Sequence, residues 1–180
     1  MPRFVALLRG INVGTAKRIA MADLRALLES LGYTQVQTLL NSGNATFTSS
    51  TRASTAKLAQ TLHSAIAKSL GVDTYVIVKS AAEFATVVDG NLWATHDLNP
   101  SRVLVTLTQD LAVLSTLTDL GAMAWGAEKL HIGPHAAYLW CAEGILESKA
   151  AVALLKGLAD AGTTRNWATV LKIHKQLLTP

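Results

Sequence analysis

Side chains that can hold an anion are concentrated in one short stretch that follows the first apolar run of the chain. This stretch, LRGINVG at residues 8–14, contains Arg9 and Asn12 and is followed by the basic residues Lys17 and Arg18. The arginine and lysine side chains can bind a phosphate or carboxylate, and the asparagine can orient it. The stretch lacks the lysine-serine/threonine ending of a phosphate loop and the dinucleotide glycine pattern, so it indicates charge binding without naming a reaction.

A second candidate lies near the other end, in TTRNW at residues 163–167. Asn166 is predicted to cap a helix, whose free amides and dipole attract anions. Arg165 stands just before that helix and, together with Thr164, can contact a phosphate or carboxylate. The alternative is that Asn166 only caps, that Arg165 pairs with a carboxylate and that Trp167 belongs to the core. The favoured hypothesis places one site where the LRGINVG loop approaches this helix start.

Ser148 and Lys149 repeat this pattern of a capping residue next to a basic one. A lysine in the first turn of a helix opposes the helix dipole, so its presence calls for an explanation. Either an anion binds there, or the lysine forms a salt bridge with Glu143 or Glu147. The sequence leaves both interpretations open.

The turn SGN at residues 42–44 separates two predicted strands. Glycine and asparagine tolerate positive φ, so forming the turn is the stronger interpretation. The exposed amides of such a turn can also form an anion nest, in which Asn44 would orient the ligand.

No metal and no cofactor are predicted. The five histidines are scattered, and a metal site requires at least three converging ligands with a recognisable spacing. Cys141 lies in a predicted strand without an activating neighbour, which argues against a nucleophilic role. No general base is identifiable, so whether the protein is an enzyme stays open.

The charge is unevenly distributed along a chain with a formal net charge of +4. Residues 1–22 and 163–180 carry basic side chains and no acid, whereas residues 81–162 are net acidic. If the two ends meet in space, they form a positive patch suited to an anion. The alternative is ordinary solvated lysines and arginines.

The composition favours a cytoplasmic protein that has no membrane partner. Half of the residues are hydrophobic, yet no apolar run approaches the roughly 20 residues that span a bilayer. The apolar part of the N-terminus, residues 4–8, is shorter than the core of a signal peptide. The single cysteine excludes an internal disulfide.

The hydrophobic periodicity predicts the order strand, helix, strand, strand, helix, strand, and then a similar order again. Strands are expected at 4–8, 36–40, 45–48, 75–78, 103–107, 129–132 and 137–140, with helices that include 58–70, 81–88, 111–120 and 166–178. The predicted fold class is α+β, with two tandem ferredoxin-like (split βαβ) antiparallel plaits and a C-terminal helix. The predicted bounds are 1–80 for the first plait, 81–100 for a helical linker and 101–180 for the second plait with the terminal helix. A helix capped by Ser148 is expected to bury Val152, Leu155 and Leu158, and the last helix Trp167, Val170, Leu171 and Leu178.

Four segments together carry a family resemblance: LRGINVG followed by MADLRALLESLGY, then LNSGNATF, YLWCAEGILESK and TTRNWATVLK. In this order and spacing, the chain resembles the bacterial domain-of-unknown-function family 1697. The resemblance implies a cytosolic bacterial protein with two ferredoxin-like halves and no established activity. Thr15 departs from the pattern, because family members tend to have a glycine there. The positions that match are Arg9, Gly10, Asn12, Gly14, Ser42, Gly43, Asn44, Ser148, Lys149, Arg165, Asn166 and Trp167.

Three functions fit these observations. The favoured one is a site for a small phosphate- or carboxylate-bearing ligand. A nucleic-acid-binding module is the second, but it would use aromatic side chains on an open sheet, and only Phe4 and Phe47 are offered there. The third is a structural or interaction protein, such as a homodimer formed through an exposed sheet.

Overall fold

A computed structural model describes residues 1–94 and 98–179 of the 180-residue chain. Part of the predicted linker, at 95–97, and residue 180 lie outside the described residues. The chain divides into two compact units, one of Met1–Phe84 with Ile173–Pro180 and one of Ala85–Lys172. The last residues therefore group with the first unit, whereas the predicted bounds assigned them to the second plait.

The first unit contains a four-stranded antiparallel sheet in the order β2-β3-β1-β4. Its helices α1 and α2 lie between strands in the sequence, as in a split βαβ plait. Alternate residues of the strands, such as Phe4 and Phe47, join the side chains of both helices in one core. The elements are β1 Arg3–Leu8, α1 Met21–Ser30, β2 Thr34–Leu39, β3 Asn44–Thr48, α2 Thr55–Leu70 and β4 Val76–Ser80.

The two helices of this unit begin differently. The Ser54 side chain caps α2 by accepting a hydrogen bond from the amide of Lys57 at 3.2 Å. At the start of α1, the N-cap position is Ala20, whose side chain has no acceptor. An alanine is among the poorest N-cap residues, so the first turn of α1 keeps amides that its own cap does not satisfy.

The second unit repeats the plait in the strand order β6-β7-β5-β8, again fully antiparallel. The predicted fold class is confirmed by these two sheets and the C-terminal helix. No helix within residues 1–94 and 98–179 is both long and apolar enough to cross a membrane. The remaining elements are α3 Ala81–Asp89, β5 Val103–Thr108, α4 Ala112–Ser115, α5 Thr118–Ala122, β6 Lys129–Ile132, β7 Ala137–Trp140, α6 Lys149–Leu158, β8 Gly162–Asn166 and α7 Trp167–Leu178.

The prediction of one continuous helix over residues 111–120 is wrong, because the structure has two short helices there, α4 and α5. Two threonine hydroxyls bond to backbone oxygens at the break: Thr116 to Val113 at 2.7 Å and Thr118 to Ser115 at 2.9 Å. Such bonds compete with the regular helical ladder. These side-chain bonds therefore favour a break at a position where the leucine periodicity predicts a continuous helix.

The predicted buried faces of α6 and α7 need correction. Val152 and Leu155 are 66% and 43% exposed, and of the predicted trio only Leu158 is buried. The packed face of α6 contains the small residues Ala150 and Ala151, which let the helix approach the sheet closely. On α7, Leu171 and Leu178 are exposed, whereas Trp167, Val170, Ile173 and Leu177 are buried.

Candidate anion-binding site

The LRGINVG loop leaves β1 in a conformation with repeated left-handed residues. Gly10, Asn12, Gly14 and Lys17 have φ values of 62°, 57°, 63° and 51°. A Cβ atom at either glycine would meet nothing within 4 Å, so the backbone angle is what requires glycine there. Asparagine is the non-glycine residue that tolerates this region best.

The Asn12 carboxamide closes the loop on itself. Its Nδ2 atom donates to the backbone oxygens of Ile19 and Asn41, each at 2.8 Å, and its Oδ1 atom accepts from the Ile19 amide at 2.9 Å. Both polar atoms of the carboxamide are thus hydrogen-bonded to the backbone. Asn12 positions the loop, and its predicted role of orienting a ligand stays a prediction.

The SGN turn packs against the same loop. A Cβ atom on Gly43 would lie 2.8 Å from Ile11 Cδ1 and 2.8 Å from Leu8 Cβ, and the residue has a φ of 79°. The Leu8 amide also donates to the Gly43 oxygen at 2.8 Å. The close approach and the positive φ therefore both require glycine at position 43.

Asn44 lies inside this hairpin. Its Nδ2 atom donates to the Leu39 oxygen at 2.8 Å and to the Ser42 hydroxyl at 3.0 Å. The side chain is fully buried. A ligand contact by Asn44, which stays a prediction, would require the turn to open.

An open cavity of about 310 Å³ lies where the loop meets the start of α1. The first backbone bond of this helix runs from the Leu24 amide to the Ala20 oxygen, at 3.1 Å. Within the described residues, the amides of positions 21 to 23 have no acceptor. The cavity is lined by Asn12, Arg18, Ile19, Ala20, Met21 and Asn41.

The charge around this cavity comes from Arg18 and from the helix itself. Arg18 is exposed, and no acid in the described part of the chain pairs with it. The first-turn amides add the positive end of the helix dipole, which Asp23 in the same turn partly offsets. The predicted site residues omitted Arg18 and Asn41. The signal that could have found this site is an alanine at position 20, where a capping residue is normally preferred.

Arg9 and Lys17, the other predicted residues of this loop, do not line the cavity. The Arg9 amide donates to the Tyr75 oxygen at 2.9 Å, and its own oxygen accepts from the Thr74 hydroxyl at 2.7 Å. Lys17 is exposed, and its backbone oxygen accepts from the Asn12 amide at 3.1 Å. Their ligand contacts stay predictions.

Ser148 caps α6 as predicted, because its hydroxyl accepts from the Ala151 amide at 2.9 Å. The neighbouring Ala150 amide donates to the Glu128 carboxylate at 3.2 Å. An acid of the protein itself therefore occupies this helix start, and it is neither of the two glutamates weighed from the sequence. Ser148 is buried and Lys149 is exposed. Ligand binding by either residue stays a prediction.

Arg165 lies within β8, opposite Val105 of β5, and is only 8% exposed. Its Nη1 atom donates to the Thr163 hydroxyl and to the Thr164 oxygen, each at 2.8 Å. Burial lowers the pKa of Arg165 to about 10. The guanidinium is thus held inside the unit, and Thr164 beside it is half-buried.

Asn166 is confirmed as a helix cap, because its Oδ1 atom accepts from the Thr169 amide at 2.9 Å. Unlike Ala20, this residue satisfies one of the first-turn amides of its helix. The TTRNW segment belongs to the second unit and the LRGINVG loop to the first. A single site that joins them stays a prediction.

The other candidate chemistries are not supported by local geometry. Cys141 is buried, and burial raises the pKa of its thiol despite a hydrogen bond with Ser148 that lowers it. No group of three or more His, Cys, Asp or Glu residues in the described ranges could hold a metal ion. The rings of Phe4 and Phe47 stack inside the core with their centroids 5.6 Å apart, so neither ring offers an exposed face to a nucleic-acid base.

The sequence matches a family model, and the fold is similar to a solved structure. The family model described as "Protein of unknown function (DUF1697)" matches residues 1–138, which include the loop, the hairpin and the cavity. A solved structure of a conserved bacterial protein from Streptococcus pneumoniae is similar over 98% of both chains, with a TM-score of 0.80 and 28% sequence identity. No curated protein matches the sequence.

Proposed function

We propose a function for this chain, which belongs to the DUF1697 family of proteins of unknown function: it binds a small phosphate- or carboxylate-bearing ligand at the start of α1. The observation that carries the proposal is an uncapped helix start that opens into a cavity beside an arginine. The family description brings no activity with it, so the proposal is a binding site in a cytoplasmic protein, with the reaction left unassigned.

The first turn of α1 provides the donors. The amides of Met21, Ala22 and Asp23 point out of the helix start, and the dipole places a partial positive charge there. Such a helix start binds anions without further cofactors. Arg18 adds a charge-assisted donor on the wall of the same cavity.

The loop is held in place before any ligand arrives. The Asn12 carboxamide ties it to Ile19 and Asn41, and Gly43 lets the hairpin turn pack on Ile11. A site that is already ordered loses less conformational freedom on binding, which favours affinity. The ordered loop therefore supports binding at a specific site, as opposed to nonspecific binding of anions to a flexible basic surface.

The size of the cavity supports a small ligand. About 310 Å³ is at the lower end of the range for small-molecule sites, which suits a phosphorylated or carboxylated metabolite. Its wall combines the polar Asn12, Arg18 and Asn41 with the apolar Ile19 and Met21. A ligand with one anionic group and a short apolar body matches this combination.

A thermal-shift screen tests the proposal. The panel contains inorganic phosphate, nucleotides, sugar phosphates, small carboxylates, and short RNA and DNA oligomers, each at matched ionic strength. A ligand at a hundred times its Kd stabilises the native state by about 2.7 kcal/mol, which raises the Tm by about 5–10 °C in a protein of this size. Arg18→Gln should remove most of that shift. Arg52→Gln, which neutralises an exposed arginine elsewhere in the unit, should leave it unchanged.

Two outcomes would overturn this assignment. One is the absence of a shift with every small anion. The other is a shift that Arg18→Gln and Arg52→Gln affect equally, because the bound charge would then lie elsewhere. A shift with oligomers alone that disappears as salt rises would favour the nucleic-acid alternative.

A further inference from the structure

A second cavity, of about 500 Å³, lies in the first unit away from the α1 start. It is lined by Met1, Arg3, Thr34, Gln35 and Thr48. Across the sheet, Thr34 of β2 pairs with Thr48 of β3, which pairs with Arg3 of β1. Since Phe4 and Phe47 belong to the helix-covered core, the alternation of side chains places Arg3 and Thr48 on the opposite sheet face.

Arg3 has hydrogen-bonding capacity that the protein does not use. Its Nη1 atom donates to the backbone oxygen of Thr179. Its Nε and Nη2 atoms are enclosed, and neither has an acceptor among the described residues. Enclosed donors of a charged group are costly to leave unpaired. Together Nε and Nη2 form one edge of the planar guanidinium, the fork that binds both oxygens of a carboxylate.

The backbone around Gln35 brings polar groups to the same cavity. Gln35 has a φ of 51°, and the β2–β3 register shifts between Thr34 and Gln37. A bulge of this kind re-aims a side chain at some cost in backbone strain. The Gln35 Oε1 atom accepts from the Thr48 hydroxyl at 2.7 Å, which fixes the carboxamide on the cavity wall.

We propose that this cavity binds a small carboxylate, whose two oxygens pair with the Nε and Nη2 atoms of Arg3. The lining side chains include one base and no acid, and the unpaired edge of the Arg3 guanidinium matches the two oxygens of a planar carboxylate. The hydroxyls of Thr34 and Thr48 and the Gln35 carboxamide would contact the body of the ligand. Met1, which is 86% exposed, would move aside to admit it. This site is separate from the one at α1 and does not depend on it.

The test observes the guanidinium directly. In protein labelled with ¹³C and ¹⁵N, the Nε–Hε signal of Arg3 is assigned by through-bond correlation with its own backbone amide. The intact protein is then titrated with sodium acetate, propionate, succinate and glutamate, with sodium chloride at equal ionic strength as the reference. We expect a saturable shift of the Arg3 signal with at least one acid and none with chloride.

Two variants distinguish binding at this cavity from binding at the start of α1. Arg3→Lys keeps the charge but loses the fork, and it should weaken binding by about tenfold or more, as measured by calorimetry with the responding acid. Arg18→Lys should leave the Arg3 titration unchanged. If no acid moves the Arg3 signal up to about 50 mM, where a ligand with a Kd of about 1 mM would be near saturation, the proposal is overturned. Because this result comes from the unmodified protein, it stands even if Arg3→Lys does not fold.

Discussion

Replacement of Ala20 by serine tests the open helix start directly. Ala20 is the N-cap of α1, is exposed, and has an extended backbone with φ −69° and ψ 137°. Serine adopts this conformation without strain, and its hydroxyl can accept a hydrogen bond from the amide of Asp23, three residues later. The amide of Asp23 would then donate to the serine hydroxyl and would no longer be available to the proposed anion.

We expect Ala20→Ser to raise the stability of the free protein and to lower its affinity for the anion. Exchanges between alanine and a good N-cap residue change stability by about 1 kcal/mol, so Ala20→Ser should raise the Tm by about 2–4 °C. A hydrogen bond to a charged group contributes about 1.5–3 kcal/mol, so removing one donor should weaken anion binding by about tenfold or more. Higher stability with lower affinity is the signature of a helix start kept open for a ligand.

The assay is urea unfolding of the free protein, followed by calorimetry with the anion found in the thermal-shift screen. Ser54→Ala is the matched control, because it removes the cap of α2 and should lower stability by a similar amount with no effect on affinity. An unchanged or lower stability of Ala20→Ser would refute the reasoning, since the first-turn amides would then already be satisfied. An unchanged affinity would place the anion elsewhere.

Four further predictions concern the loop, the core and the second unit. Gly43→Ala should lose about 2–4 kcal/mol in urea unfolding, because its methyl group would clash with Ile11 at a positive φ. Asn12→Ala should lose about 2–4 kcal/mol in the same assay, because it removes three hydrogen bonds to backbone groups. Burial, with a smaller contribution from a nearby acid, raises the pKa of Tyr138 from 10 to about 12, so between these values stability should fall more steeply with rising pH in the wild type than in Tyr138→Phe. Cys141, the one cysteine, should react with a thiol reagent only after unfolding, since it is buried and its thiol pKa is raised.

Each of these has a contradicting result. Near-normal stability of Gly43→Ala or Asn12→Ala would mean that the loop and hairpin are not held together as described. The sign for Tyr138 follows because the folded state retains a proton that the unfolded state loses between pH 10 and 12, so identical pH profiles for the wild type and Tyr138→Phe would contradict its burial. Rapid labelling of Cys141 in the native protein would place it at an accessible surface.

The elements that could be predicted from the sequence depend on neighbours close in the chain. Strand and helix order follows from hydrophobic periodicity, and the caps Ser54, Ser148 and Asn166 each bond to an amide three residues later. These interactions are complete within one turn of helix, so the local residues specify them. The two-plait fold followed from that order, because the connections between short strands and helices admit few topologies.

The site depended on partners that are distant in sequence. Asn12 bonds to Asn41 across 29 residues, and Glu128 reaches the amide of Ala150 across 22. The sequence marked Asn44 and Arg165 as polar groups at turns and helix starts, yet both are buried.

The residue types and their spacing thus determined which elements form and how they connect. Tertiary structure alone decided which segments line the cavity at the start of α1, which carboxylate accepts from the first turn of α6, and which face of α6 is buried. These outcomes depend on sheet register and on the close approach of segments far apart in the chain. Hydrogen bonding and packing at such contacts are set by three-dimensional distance, which no local periodicity encodes.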